Sequence, residues 1–297
     1  MNKHIISVLT AGALWGLMGL FTRALSSFGF SSTSAILLRC GVAAILFGIT
    51  AAVTDPKQFR VKLKDIWCFL GSGICSLLFF TYCYFEAISR MSLSTAAILL
   101  YTAPTIVMLL SALFFKEKIT PIKLAALVLA FIGCCLVSGL GQGEQALSLD
   151  GLLFGLGSGV GYALYSIFAR CSLNRGYSST TVNFYSCLLA ALGSAVIWGV
   201  EEPMLALTGS WQTLLISLAM GGISCYLPYL FYTYSLTGLE TGRASILSSF
   251  EPVVATLVGI IIFREPLTLM SALGVICVLG AVVLLNMRRK SAAEKAK

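Results

Sequence analysis

The sequence predicts an all-α, polytopic membrane protein with ten transmembrane helices, arranged as two inverted five-helix repeats. Hydrophobic residues make up 58% of the 297-residue chain and charged residues only 11%, whereas soluble domains carry roughly a quarter charged residues. The other two observations are a one-sided distribution of Lys and Arg and an internal sequence repeat. Together they define the number, orientation and grouping of the helices.

Ten apolar runs divide the chain, and each has about the 20 residues needed to cross a hydrocarbon core about 30 Å thick. Gly, Pro, Ser or charged residues separate them. The first run is too long for a signal-peptide core and lacks a convincing cleavage site, so we expect it to remain as a helix. The runs cover residues 5–25, 32–53, 66–88, 94–115, 121–139, 151–169, 180–200, 212–236, 243–263 and 267–287.

The Lys and Arg positions predict that both termini are cytoplasmic. Alternate helix ends lie on opposite sides of the membrane. Sixteen of the twenty basic residues fall at the ends on one side, and only Arg23, Arg90 and Arg264 fall at the ends on the other side. Cytoplasmic joints carry the excess of Lys and Arg, which also makes residues 288–297 a basic cytoplasmic tail. The net charge of +8 therefore needs no nucleic-acid partner, because no basic run is interleaved with aromatic residues.

The internal repeat aligns residues 96–120 with residues 244–268, without gaps, at an offset of 148 residues. This repeat motif pairs Pro104 with Pro252 and Glu117 with Glu265. We therefore predict a first five-helix repeat over 5–139 and a second over 151–287. Because five is odd, the second copy must enter the membrane upside down. Inverted repeats are typical of secondary transporters, whose sites lie near the midplane between the repeats.

Three ionisable residues fall within predicted helices, where a charge costs from about 3 to more than 10 kcal/mol. Glu251 lies near mid-bilayer and precedes Pro252, which removes a backbone hydrogen bond. We predict a binding or proton-coupling point there; the alternative is a Glu that caps a kink or bonds a neighbouring helix. Arg39 and Glu86 are expected to pair near the outer surface, either as an outer gate or as a static ion pair.

Aromatic residues on several helices are expected to line a substrate cavity, because a tyrosine offers both an apolar face and a hydroxyl group. Packing and membrane-interface roles are the alternatives for each of them. The candidates are Trp15, Tyr82, Tyr101, Tyr162 and Tyr232.

Catalysis is disfavoured by the residues that the chain lacks within its predicted helices. His4 is the only histidine, so a Ser/His or Cys/His mechanism has no base in the membrane. The ten cysteines show no C-x-x-C spacing. We expect no catalytic residue, no metal site and no cofactor.

Several short motifs resemble the EamA-type branch of the drug/metabolite transporter superfamily, over residues 5–287. They are Trp15-Gly16, Leu38-Arg39, Pro104 with Lys116-Glu117, and Phe250-Glu251-Pro252 with Arg264-Glu265-Pro266. The resemblance implies a carrier of the bacterial inner membrane with a central cavity between its halves. Members of this family often export amino acids, other metabolites or drugs, and they are either proton-coupled or passive.

We therefore expect an alternating-access transporter that exports a small metabolite, an amino acid or a drug-like compound. Its expected partners are the lipid bilayer, the small-molecule substrate and, if transport is coupled, protons. The alternative is a membrane-embedded enzyme or lipid-handling protein that uses the same cavity. The sequence indicates neither the cargo nor the oligomeric state.

Overall fold

The computed structural model describes residues 3–91, 93–138, 148–264 and 266–294. These residues form helices and contain no β-strand. Nine of the helices that they form are long and apolar enough to cross a membrane, and another apolar helix, Pro121–Val137, is slightly shorter. Its 17 residues are near the lower limit for a membrane span. The predicted all-α membrane fold is confirmed, and the helices are consistent with ten spans.

The helices are labelled α1 to α10 in chain order. A short helix, Glu201–Thr208, lies between α7 and α8. They are α1 (Lys3–Ser26), α2 (Ser32–Thr54), α3 (Leu63–Arg90), α4 (Thr95–Phe115), α5 (Pro121–Val137), α6 (Leu149–Asn174), α7 (Ser179–Trp198), α8 (Trp211–Leu236), α9 (Thr241–Phe263) and α10 (Leu269–Glu294).

The C-terminal tail differs from the expectation in its first part. Helix α10 continues to Glu294, so residues 288–294 of the predicted basic tail extend the last helix. Residues 295–297 lie outside the described residues.

Three membrane helices are interrupted within the described parts of the chain. Helix α1 breaks at Leu17, between Lys3–Gly16 and Met18–Ser26. Helices α4 and α9 break at positions related by the 148-residue offset, and restart as Ala103–Phe115 and Glu251–Phe263. Both restarted segments carry a proline in their first turn, where its missing N–H would have no partner anyway.

Other backbone features recur at the same offset. Lys116 and Arg264, which end α4 and α9, have φ angles of 55° and 56°. Such left-handed conformations are uncommon for residues other than glycine. Helices α3 and α8 contain π-helical segments, Gly71–Leu78 and Gly222–Tyr226, that end at equivalent positions. The sequence repeat therefore extends to the backbone.

Helices of the two halves pack in pairs: α1 with α8, α2 with α7, α3 with α6, α4 with α9 and α5 with α10. If each helix is replaced by its equivalent in the other half, the α1–α8 pair becomes the α3–α6 pair and the reverse. The α2–α7, α4–α9 and α5–α10 pairs are each converted into themselves. The α5–α10 pair is antiparallel, because Val137 lies beside Gly274 while Leu129 lies beside Gly280. An inverted repeat requires this arrangement. The boundaries of the two five-helix repeats, residues 5–139 and 151–287, stay predictions.

Polar contacts join the halves at the end of the bundle predicted to be cytoplasmic. The Glu117 carboxylate accepts the backbone N–H groups of Thr241 at 2.6 Å and Gly242 at 3.1 Å, and so caps the start of α9. Lys123 forms an ion pair with Glu240 at 2.7 Å. Glu117, predicted as part of the repeat motif, therefore connects the halves outside the cavity. Its repeat partner Glu265 lies outside the described residues.

Contacts between loops join the halves at both ends of the α2–α7 pair. At the predicted cytoplasmic end, Asp65 contacts Arg175 at 3.2 Å and accepts a hydrogen bond from Tyr177 at 2.8 Å. Partial removal from water and the Asp65 carboxylate raise the pKa of Tyr177. At the other end, Glu202 accepts the Ser31 N–H at 2.5 Å and its hydroxyl at 2.7 Å. Burial raises the pKa of Glu202, but these hydrogen bonds outweigh it, so the pKa is lowered.

We predict that Gly133→Ala destabilises the α5–α10 pair. The added Cβ would lie 2.7 Å from Val278 Cγ2 and 2.8 Å from the Gly274 carbonyl oxygen, and such overpacking costs about 1–3 kcal/mol. Thermal unfolding of the purified protein in detergent measures the loss. The control is Gly41→Ala, because its Cβ would have no neighbour within 4 Å. Equal melting temperatures for both variants would contradict this packing.

Candidate functional site

Aromatic rings from α1, α6 and α8 cluster beside the break in α1. The ring centroid of Trp15 lies 5.3 Å from those of Tyr229 and Tyr232 and 6.2 Å from that of Tyr162. These distances fit edge-to-face and tilted aromatic packing. The rings surround a first cavity with about 260 Å³ of empty space, which Ser76, Phe80 and Ser166 also line.

Hydrogen bonds hold these rings in place. Tyr232 and Ser166 share a hydroxyl–hydroxyl bond of 2.7 Å. Asn183 on α7 is fully buried; its amide donates to the Tyr229 carbonyl at 3.1 Å, and its oxygen accepts from the hydroxyl groups of Tyr165 and Thr233. A buried polar network with all partners satisfied rigidifies its surroundings. The aromatic wall is therefore preorganised.

A second cavity, with about 280 Å³ of empty space, lies where the broken helices α4 and α9 meet α6. Its lining includes Tyr101, Pro104, Tyr162, Ser248 and Glu251. Tyr162 lines both cavities.

Helix α1 approaches the break in α9 very closely because two of its residues have no side chain. A Cβ on Gly12 would lie 3.0 Å from the Ser248 carbonyl oxygen, and a Cβ on Gly16 would lie 2.7 Å from that of Glu251. The Ser248 carbonyl lies one turn before Pro252, which has no N–H to bond it. Small residues permit this backbone approach in membranes.

Arg39 on α2 is a buried cation beside this site. Only 4% of it is exposed, and its Nη1 donates to the thioether sulfur of Met18 at 3.0 Å, where α1 restarts. Within the described ranges, no carboxylate lies within 4.0 Å of Arg39. It interacts electrostatically with Tyr229 and Glu251.

Glu251 is the carboxylate of the second cavity. It begins the restarted segment of α9, as expected for a residue placed before Pro252. Among the described residues, none forms a hydrogen bond or ion pair with its side chain. A carboxylate without a partner within the membrane is unusual, because the charge costs free energy that a partner would offset.

The structure brings most of the predicted site residues together. Trp15, Tyr162 and Tyr232 line the first cavity; Tyr101, Pro104 and Glu251 line the second, and Pro252 is buried at the break. Whether these residues bind a substrate stays a prediction.

Tyr82 is placed elsewhere and does not line either cavity. Its side chain is 41% exposed and packs against Phe154 and Trp198. Phe80, two residues earlier, lines the first cavity instead. Residues two apart on a helix point in nearly opposite directions, so the two rings cannot share a face.

Arg39 and Glu86 do not pair in this structure, contrary to the expected outer gate. Glu86 instead pairs with Arg90 one turn later, where both side chains are about one-third exposed. A partner four residues away is within reach on the same helix face. Arg39 stays buried against Met18.

The sequence alone does not identify the serine residues that line the cavity walls. Ser166 follows Tyr162 by one helical turn and shares its face, and Ser76 donates to the Gly161 carbonyl at 2.7 Å. The one-turn spacing between Tyr162 and Ser166 could have indicated that Ser166 lines the same cavity.

These features describe a polytopic membrane protein with internal cavities at the junction of broken helices. The profile of the EamA-like transporter family matches the chain twice, over residues 2–139 and 149–287. The chain therefore belongs to the EamA-like transporter family.

Several known proteins are similar over most of the chain. A protein of Archaeoglobus fulgidus, named an uncharacterized transporter, is 30% identical over 278 residues, which cover 92% of this chain and 95% of that protein. The threonine/homoserine exporter RhtA of Escherichia coli is 29% identical over 244 residues, with coverages of 80% and 76%. One crystal structure matches with a TM-score of 0.82 at 19% identity, covering 96% and 98% of the two chains; this likeness concerns the fold alone.

We predict that Gly16→Ala impairs both stability and transport. Its Cβ would lie 2.7 Å from the Glu251 carbonyl oxygen and 2.8 Å from Val254 Cβ, so α1 must move away from the break in α9. Overpacking of this kind costs about 1–3 kcal/mol. Gly19→Ala is the matched control on the same helix, because no atom lies within 4 Å of its Cβ. Wild-type behaviour of both variants in unfolding and flux assays would reject the close approach.

Proposed function

We propose that this protein is a secondary transporter that exports a small metabolite from a bacterial cytoplasm by alternating access. The observation that carries the proposal is the junction of broken helices α1, α4 and α9, where Glu251 lines a cavity and has no side-chain partner among the described residues. Secondary transporters bind substrate at discontinuous helices between their repeats. Family membership supports transport, and the relatives are named as transporters.

One relative supports a small cargo. RhtA is named as an exporter of threonine and homoserine, so amino acids belong among the first compounds to test.

Alternating access is supported by contacts at the end proposed to face the cytoplasm. There the Glu117 cap on α9 and the Lys123–Glu240 ion pair join the two halves. These contacts must break before the cavities can open to that side. We propose that the structure represents a conformation closed to the cytoplasm.

Proton coupling is proposed at Glu251. Titratable or charged groups on five neighbouring helices interact electrostatically with the Glu251 carboxylate. These groups are Arg39 on α2, Tyr84 on α3, Tyr101 on α4, Cys134 on α5 and Tyr162 on α6. A desolvated carboxylate favours its protonated form, whereas a nearby cation favours the ionised form, so Glu251 is suited to exchange a proton.

The distribution of Lys and Arg supports an orientation with both termini in the cytoplasm, and family membership supports the bacterial inner membrane as the location. An untargeted screen tests the transport function directly. Proteoliposomes are loaded with a bacterial metabolite extract, and mass spectrometry measures which compounds leave them faster than they leave protein-free vesicles. The expected result is selective efflux of a few small compounds. Efflux of none of the metabolites would reject the transport function.

We predict that Glu251→Gln abolishes the response of transport to a proton gradient. In wild-type proteoliposomes, an acidic exterior should accelerate efflux, because a proton entering at Glu251 drives the cargo outward. Gln cannot ionise, so efflux by the variant should be the same with and without the gradient. Asp150→Asn is the control, since Asp150 is exposed in the first turn of α6. A preserved gradient response in Glu251→Gln would exclude this residue as the proton carrier.

A further inference from the structure

We infer that a row of hydroxyl groups on α9, from Thr241, Ser245 and Ser248, lines the cytoplasmic half of the transport pathway. When the two halves separate at that end, these groups form hydrogen bonds with water and with polar groups of the passing cargo. The inference rests on the proposed transport function and assigns the route between the second cavity and the cytoplasm. We call these three residues the hydroxyl row.

The hydroxyl row connects the predicted cytoplasmic end of the bundle with the second cavity. Its members lie four and three residues apart in the first segment of α9, and this spacing places them on one face of the helix. Thr241 lies at the cytoplasmic end of the row, where the Glu117 carboxylate accepts its N–H. Ser248 lies at the other end and lines the second cavity. Ser245 lies between them, one turn from each.

Two of these hydroxyl groups are buried without a hydrogen-bond partner. Within the described ranges, Thr241 Oγ1 and Ser245 Oγ are fully buried and form no hydrogen bond. The Tyr232 hydroxyl interacts with Ser245, but its hydrogen bond is formed with Ser166 at 2.7 Å. An unpaired buried hydroxyl group is costly, because it has given up its bonds to water. Two such groups, one turn apart and in line with a cavity, indicate a surface that binds a partner outside the chain.

The internal repeat indicates that the fold does not require these hydroxyl groups. The 148-residue offset aligns the hydroxyl row with positions 93, 97 and 100, which carry Leu, Ala and Leu. The helix segments Leu93–Leu100 and Thr241–Ser248 are nevertheless equally long and end at equivalent breaks. A segment of this shape therefore forms with apolar residues at the same positions, so helix geometry alone does not account for the polar ones.

The contacts that close the cytoplasmic end lie directly on the hydroxyl row. The Glu117 carboxylate accepts the backbone N–H groups of both Thr241 and Gly242. Gly242 also packs closely against α4, because a Cβ there would lie 3.3 Å from Ser111 Oγ. Separation of α4 from α9 at this end therefore exposes Thr241 first and Ser245 one turn deeper.

The first experiment removes hydroxyl groups while retaining the packing. We expect Ser245→Ala and Thr241→Val to melt at or above the wild-type temperature, because each loses an unpaired buried group. Efflux of the compounds that the wild-type protein selects from the metabolite extract should be about two- to tenfold slower, because the cargo loses hydrogen bonds along its route. Ser194→Ala should match the wild type in efflux. It is the matched control, because Ser194 Oγ is likewise buried and unpaired in the described chain, but lies on α7 and lines neither cavity.

The second experiment measures access from the cytoplasm and needs no cargo. Ser245→Cys is treated in inside-out vesicles with a membrane-impermeant, cationic methanethiosulfonate reagent, and peptide mass spectrometry measures labelling at position 245. We expect labelling there, and we expect the added substitution Lys123→Gln to accelerate it severalfold, because loss of the Lys123–Glu240 ion pair favours opening. Ser194→Cys, treated in the same way, should stay unlabelled.

Two results would overturn the inference. One is wild-type efflux by both Ser245→Ala and Thr241→Val. The other is labelling at position 245 no faster than at position 194, with and without Lys123→Gln. Both results leave the transport function in place as long as the metabolite screen finds transported compounds. A screen that finds none rejects the transport function, independently of the labelling at position 245.

Discussion

The hydrocarbon core of a bilayer contains no water to bond a free backbone N–H or C=O group, so a helix can break there only where protein or a cavity covers the break. Helices α4 and α9 both break at positions related by the repeat. Gly12 and Gly16 bring the backbone of α1 over the break in α9. This close contact also places Trp15 against Tyr229 and Tyr232, so the break and the aromatic cavity depend on the same packing.

The overall architecture could be predicted because the bilayer imposes it on the sequence. Span length follows from membrane thickness, and Lys and Arg mark the cytoplasmic joints. The repeat was visible because Pro104 and Pro252 lie in the first turns of equivalent helix segments. Glu251 could be singled out on cost alone, since a charge within a span is expensive.

The orientations of individual side chains could not be predicted in the same way. A helix that packs on several sides shows little amphipathic periodicity, so the sequence could not indicate that Phe80 faces the cavity and Tyr82 faces outward. The break at Leu17 lacks a proline and was not predicted. The pairing of Glu86 with Arg90, and the role of Glu117 as a cap on α9, depend on contacts that only the folded structure defines.

We propose that two copies of one five-helix unit enter the membrane in opposite orientations. Ile119 and Leu267 occupy equivalent, exposed positions after α4 and α9. Cysteines introduced at each position can be labelled in intact cells with a membrane-impermeant maleimide, in a Cys75→Ser background because Cys75 is exposed. We expect the cysteine at position 267 to be labelled in intact cells and the cysteine at position 119 to be labelled only after permeabilisation. Labelling of both from the same side would contradict it.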